Sequence, residues 1–232
     1  MQPTVYLIPS VLDEAAIETI PPYIIDAVRN CAVIFAENER SARRFLKSIC
    51  KEIIIDDYEW HTIHKAEVEQ LNIFRQRIKE NKNIAIISEA GCPGIADPGQ
   101  ILIAAAQEMD VAVKPLVGPS SILLALMASG MNGQQFEFLG YLPIDNAERI
   151  KAVTALELNS QRKQSTQIFI ETPYRNNQLI ETLLKTCKPS TRLCIAAELT
   201  GAHEFIKTKT IAEWKKEKPD LHKKPVIYLL QG

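Results

Sequence analysis

Short apolar runs alternate along the chain with longer stretches in which apolar residues recur at helical spacing. Thr4–Ile8 is a β-rich run stopped by Pro9, and Pro22–Val28 then has the spacing of a helix. Cys31–Ala36 reads as a second strand, after which Ser41 is placed to cap a helix over Ala42–Lys47. Ile53–Ile55 is expected to be a third short strand. The stretch 64–81 predicts a charged helix with Val68, Leu71, Phe74 and Ile78 on one face. Ile84–Ile87 is a wholly apolar strand, Ile101–Ala106 belongs to a helix, and Met109–Val117 is the next strand. Alternation of this kind predicts βαβ units and a largely parallel sheet.

The second half opens with the apolar helix Ile122–Ala128, whose end suits Gly130 and Asn132-Gly133. Phe136–Leu142 alternates as a half-buried strand should. Helices are expected over Asn146–Gln161 and Asn176–Cys187, with strands at Thr166–Ile170 and Arg192–Ala197. Glu204–Thr208 and Pro225–Leu230 read as closing strands, with Thr210 capping a short helix around Trp214. The reading is an α/β fold of two domains, with the junction between about 115 and 134. We divide it as 1–117, with a mainly parallel sheet, and 118–232, with a mixed sheet.

One loop is over-punctuated for a simple turn. Ser88-Glu89-Ala90-Gly91-Cys92-Pro93-Gly94-Ile95-Ala96-Asp97-Pro98-Gly99 follows the strand Ile84–Ile87, at the strand end where open α/β sheets bind ligands. Asp97 as N-cap and Pro98 at the first helical position account for its last three residues. They leave Glu89 to Gly94 unexplained, so this part is expected to meet a ligand. A second such loop, Gly118-Pro119-Ser120-Ser121, precedes the apolar helix. Ser88, Glu89, Ser120 and Ser121 offer hydroxyls and a carboxylate but no Lys or Arg. That set suits an amine, a ribose or an adenine edge better than a polyphosphate. A glycine-rich phosphate fingerprint is absent after strand 1, where Pro9-Ser10-Val11-Leu12 stands, and no Walker motif occurs.

Composition narrows the class further. Hydrophobic residues make up 46% of the 232 residues and the formal charge is −1, so any basic surface is local. Lys207, Lys209, Lys215, Lys216, Lys218, Lys223 and Lys224 make the C-terminal end locally basic, read by default as a solvated surface and alternatively as a phosphate-contacting patch. Five scattered cysteines and four histidines form no metal motif, and no apolar run approaches a membrane span. The expectation is a cytoplasmic protein with reduced thiols, no metal and no membrane contact.

These loops resemble those of the tetrapyrrole-methylase-like superfamily of S-adenosylmethionine-dependent methyltransferases. Within it, the likeness is greatest to the bacterial small-subunit (16S) ribosomal RNA cytidine 2′-O-methyltransferases. Residues 88–99 differ at three positions from the family's Ser-Asp-Ala-Gly-Thr-Pro-Gly-Ile-Ser-Asp-Pro-Gly. Gly118–Ser121 is similar to Gly-Pro-Ser-Ala, Phe138–Pro143 to a Phe-Gly-Phe-Leu-Pro element, and Glu171–Arg175 to Glu-Ser-Pro-His-Arg. Departures fall elsewhere. The family's Thr-Pro-Ile-Gly-Asn-Leu loop is Ile8-Pro9-Ser10-Val11-Leu12, and its Glu-Asp-Thr-Arg is Glu37-Asn38-Glu39-Arg40. Its Arg-Glu-Leu-Thr-Lys is Ala197-Glu198-Leu199-Thr200-Gly201, without either positive charge, and Asp57–His61 only echoes its Tyr-His-Glu-His.

The resemblance implies two α/β domains with a cofactor cleft between them, a homodimer, and S-adenosyl-L-methionine as methyl donor. It implies a pocket drawing on Pro9, Ser88, Glu89, Ala90, Ile95, Asp97, Ser120, Ser121, Glu171, Thr172 and Ala197. Its expected acceptor is an RNA ribose 2′-hydroxyl, of the small ribosomal subunit. A base for that hydroxyl is sought in Glu37, Glu39 or Glu198, and contacts to the strand in Arg40, Arg43 and Arg44. His61 and His64 are expected at the rim or surface. Two other readings stay open: a methylase of a tetrapyrrole or other small acceptor, and a non-catalytic RNA-associated protein that keeps the fold.

Overall fold

The computed structural model describes residues 2–63 and 67–232, which divide after Ser120 into two compact units. The first holds strands β1 (Thr4–Ile8), β2 (Val33–Ala36), β3 (Glu59–Thr62), β4 (Ile84–Ile87) and β5 (Ala112–Pro115). They form one sheet in the order β3-β2-β4-β1-β5, and every pairing is parallel. Helices α1 (Ile24–Arg29), α2 (Glu39–Ile49), α3 (Glu67–Lys79) and α4 (Gln100–Glu108) cover both faces. The two-residue period of the strands explains how. Ile8, Ile34, Ala36, Ala85 and Ile87 join the core under α1 and α2. Val5, Val33, Phe35, Ile84 and Ile86 join the core under α3 and α4. Strands buried on both faces must be apolar throughout, as β2 and β4 are.

Chain order reverses between β1 and β4. From β1 the chain runs toward β2 and β3, and from β4 it runs past β1 to β5. The loops after these two strands therefore part at a switch point, which is where open sheets form ligand crevices.

The second unit has β6 (Phe136–Tyr141), β7 (Thr166–Glu171), β8 (Arg192–Ala197), β9 (Phe205–Thr210) and β10 (Val226–Gln231). Their order is β6-β7-β10-β8-β9; β6 and β7 are parallel, and the other neighbours antiparallel. The core on one face is filled from α6 (Asn146–Lys163), α7 (Asn176–Thr186) and α8 (Ile211–Lys216). Helix α5 (Ser121–Ser129) packs on β9 and β10. Thr210 caps α8 in a reciprocal capping box with Glu213.

Four expectations are corrected. Ile53–Ile55 is not a strand. Ile53 plugs the core, a single turn follows at Ile55–Asp57, and the third strand is Glu59–Thr62. As a sheet edge paired only to β2, that strand is half-buried and needs no apolar run. Ser41 does not cap α2; the side chain of Asn38 accepts from the amides of Arg40 and Ser41, so the helix starts earlier. The strand expected over Met109–Val117 shortens to Ala112–Pro115, because Met109 and Asp110 close α4. Asp97 and Pro98 do not begin α4 either, for a reason that belongs to the site. The start expected for the 64–81 helix, with His64, lies outside the described residues.

Candidate functional site

Pro9 and Ser10 follow β1, and Ser88 begins the loop after β4. Ser10 is buried and joins the two: its Oγ donates to the Ser88 carbonyl at 2.8 Å. Its amide donates to the Gly91 carbonyl at 2.8 Å, and the Gly91 amide returns to its carbonyl at 3.1 Å. This isolated bridge pins the loop across the switch point. From the other side, Gly118 lies against Pro9. A Cβ there would stand 2.1 Å from that of Pro9, so only glycine permits the approach.

The first half of the loop is fixed by carboxylates. Glu37, buried at the end of β2, accepts from the Glu89 amide at 2.9 Å. The Glu89 carboxylate in turn accepts from the Ser41 hydroxyl at 2.9 Å. Ser41 is thus a loop contact rather than a cap.

The far end is held by a residue whose role the sequence hides. Glu67, the first residue of α3, accepts from the amides of Gly99, Ile101 and Leu102 at 3.1, 2.7 and 3.2 Å. These are the unpaired donors at the start of α4, which begins at Gln100 behind a left-handed Gly99. An acidic residue in a helix's first turn is usually credited to its own helix. Here it caps a neighbour.

Asp97 is left without that partner. Half-buried, it has no donor on its carboxylate among the described residues, and it faces Glu37 and Glu89. Burial first, and then those two charges, push its carboxyl from 3.8 up to about 7. Ile95 beside it is 53% exposed, a large apolar side chain open to solvent.

Two hollows flank the pinned loop. One of about 460 Å³ lies between Ser10–Leu12, α2 and Glu89-Ala90. The other, about 330 Å³, brings together Glu37, Glu39, Arg40, Thr62 and Glu89. Pro9, Ser10, Ser88–Ala90, Ile95 and Asp97 thus gather at the carboxyl ends of one parallel sheet, with acidic side chains facing them.

The profile of the Tetrapyrrole (Corrin/Porphyrin) Methylases matches residues 17–215. The chain belongs to this family. Among curated proteins, the chain is 34% identical over 172 residues to a Micromonospora olivasterospora protein named Ribosomal RNA small subunit methyltransferase I. The match takes in 74% of this chain and 52% of that protein. A Synechocystis protein of the same name is 30% identical over 183 residues, 79% of this chain and 63% of its own length. The chain therefore spans between half and two thirds of these two relatives. Among solved structures, the methyltransferase CobJ superposes with a TM-score of 0.64 at 16% identity, over 99% of this chain and 93% of that one. Uroporphyrin-III-C-methyltransferase from Thermus thermophilus gives 0.56 at 15%, over 100% and 93%. At such identities the likeness is one of fold, and it fits two α/β units with a parallel and a mixed sheet.

The remaining expected residues are placed as follows. Ser120 ends the first unit and Ser121 opens α5 in the second. Glu171 and Ala197 flank Val226, the first residue of β10, so the ends of β7 and β8 meet in the middle of the second unit's sheet, at one end of its strands. Glu171 is already engaged, by Arg175 at 2.6 Å and by the Thr172 amide at 2.7 Å. Glu198, left-handed at φ 53°, pairs with Lys224 at 2.5 Å. Glu39 pairs with Arg43 at 2.7 Å, and Arg43 also meets Asp56 and lies over the Trp60 ring. Arg44 pairs with Glu14, whereas Arg40 is exposed and makes no ion pair among the described residues. His61 stacks on Phe35 and bonds Glu59, a structural position.

Of the basic C-terminal stretch, Lys209, Lys218 and Lys224 are ion-paired. Among the described residues no cluster of His, Cys, Asp or Glu could hold a metal ion, and no helix is long and apolar enough to cross a membrane.

Proposed function

We propose that this chain is an S-adenosylmethionine-dependent methyltransferase acting on a ribose 2′-hydroxyl of RNA, in the small ribosomal subunit. The carrying observation is the acidic loop pinned at the switch point, in a chain whose curated relatives bear the name of ribosomal RNA small subunit methyltransferases. The donor set fits the methyl donor. Glu37, Glu89 and Asp97 bring negative charge to one loop, the complement of a ligand carrying a sulfonium and an ammonium, with Arg40 lining the hollow beside Glu37 and Glu89. Gly118 lets its loop close on Pro9 at the end of the same sheet. Pro9, Ser88–Ala90, Ile95, Asp97 and Ser120 are the first unit's residues proposed to hold the methyl donor; the resemblance adds Ser121, Glu171, Thr172 and Ala197.

When bound, this cofactor supplies an electrophilic methyl group. The chain's own task is to hold the hydroxyl in line and accept its proton. Of the three carboxylates considered for that proton, Glu39 and Glu198 are held by cations, so Glu37 is the one we assign. The protein is proposed to work in the cytoplasm as a homodimer. Exposed Leu123 and Met127 on α5, and Tyr141 on the edge strand β6, offer apolar surface for a second copy.

A second reading, methylation of a tetrapyrrole or another small acceptor, is favoured by the family profile and by the two solved structures. A catalytically silent RNA-associated protein is the third. Calorimetry with S-adenosylmethionine tests the donor, and absence of binding at millimolar concentration would sink the enzyme. Methyl incorporation separates the readings when small subunits from a deletion strain, mapped to a nucleoside, and a tetrapyrrole are offered in parallel. Label on a ribose supports the first, label only on a macrocycle the second, and binding without transfer the third.

A further inference from the structure

We propose that the larger pocket beside the pinned loop receives one nucleotide of the RNA strand, its base on the apolar lining and its phosphate on Arg44, and that Glu14 occupies Arg44 until the strand arrives. This rests on the RNA reading above. The apolar part of its lining is Val11, Leu12, Ile17 and Phe45, in an open pocket of about 460 Å³. A flat base can settle there with its ribose toward the polar rim. At the rim Arg44 and Glu14 meet at 2.5 Å, with side chains 63% and 77% exposed. So open a pair is screened by water and cheap to break, and a phosphate offers a guanidinium a better, bidentate partner than one carboxylate oxygen does.

The other two arginines of this helix end are placed differently. Arg43 is committed to Glu39, Asp56 and Trp60, and Arg40 borders the other hollow. Charge also selects the ligand. With one arginine beside the carboxylates of Glu14 and Glu89, the pocket can answer a single phosphodiester once Glu14 gives up Arg44, and it has no further cation for a macrocycle bearing many carboxylates.

The test is a double-mutant cycle on the full chain, read by fluorescence anisotropy of a labelled oligocytidylate across a salt series. Glu14→Gln should tighten binding about 1.4- to 5-fold by freeing Arg44. Arg44→Gln should weaken it and flatten the salt slope by about 0.7, one phosphate contact on a single strand. In the Arg44→Gln background, Glu14→Gln should change nothing. If it still tightens binding there, Glu14 merely repels RNA, and the proposal falls while the RNA reading stands. Wild type that binds no RNA overturns both. Competition by a polycarboxylated porphyrin that Arg44→Gln abolishes assigns the pocket to the other ligand class and overturns the proposal too. Both residues are exposed, and unchanged thermal melts show that the variants fold.

Discussion

Replacing Asp97 with asparagine separates what this carboxylate does for stability from what it does for binding. Its value of about 7 in the fold, against 3.8 ordinarily, means that folding takes up a proton between those two values. The stability contributed by the protonated carboxyl is complete below about pH 4 and is lost as pH rises to about 7, beyond which the loss is constant. The gap of about 3 corresponds at most to about 4 kcal/mol. Because the group is half exposed, screening by water leaves about 1–2 kcal/mol of that. An amide in place of the carboxylate would carry no charge to desolvate and nothing for Glu37 and Glu89 to repel.

Asp97→Asn should therefore match wild type at about pH 4 and exceed it by about 1–2 kcal/mol at pH 8. In thermal melts that is roughly 3–8 °C, provided that the first unit's transition is followed by itself. The same variant should bind S-adenosylmethionine more weakly, since it lacks one of the charges proposed to answer the ligand's cations. The ratio of wild-type to variant affinity should rise between about pH 6 and 8 as Asp97 ionises, since the ligand's own amine titrates alike against both proteins. A variant less stable than wild type at pH 8, or a gain independent of pH, would refute the reasoning from burial and like charge.

Three further outcomes follow from the loop's supports. Glu67→Ala strips three amides of their acceptor and should cost about 1–2 kcal/mol in urea unfolding, with Glu67→Gln intermediate. Gly118→Ala puts a methyl where Pro9 already stands and should cost about 1–3 kcal/mol, together with a loss of cofactor affinity in calorimetry. Ser10→Ala removes one buried hydrogen bond and should cost about 1 kcal/mol, with faster amide exchange at Gly91 as its local signature.

What could be read from the chain beforehand follows physical lines. β1, β2 and β4 were legible because strands buried on both faces carry nearly unbroken apolar runs. β3 was not, because an edge strand is half wet and Glu59-Trp60-His61 carries no such run. The loop at 88–99 announced itself by its glycines and prolines. Its supports did not, since Glu67 and Ser10 act on residues more than thirty positions away in the chain. Local capping rules pointed to Asp97 because it is adjacent. The fold brings in a different carboxylate.

That exchange of carboxylates shapes the chemistry of the loop. A helix N-terminus is the nearest sink for a negative charge, and with Glu67 already there Asp97 has no such outlet. It stays beside Glu37 and Glu89, a concentration of like charge that a cationic ligand relieves. The relief depends on which cation answers it. S-Adenosylmethionine and its demethylated product both carry an ammonium, but only the former carries a sulfonium. If the carboxylates answer the sulfonium, wild type should hold the methylated form more tightly, and Asp97→Asn should narrow the difference. Transfer of the methyl group would then remove the charge that kept the donor bound, and release of the spent cofactor would follow from electrostatics alone. If they answer the ammonium, the two ligands should lose affinity equally in the variant. Paired titrations of both ligands against both proteins decide between these, and equal binding of both ligands by wild type would exclude the first.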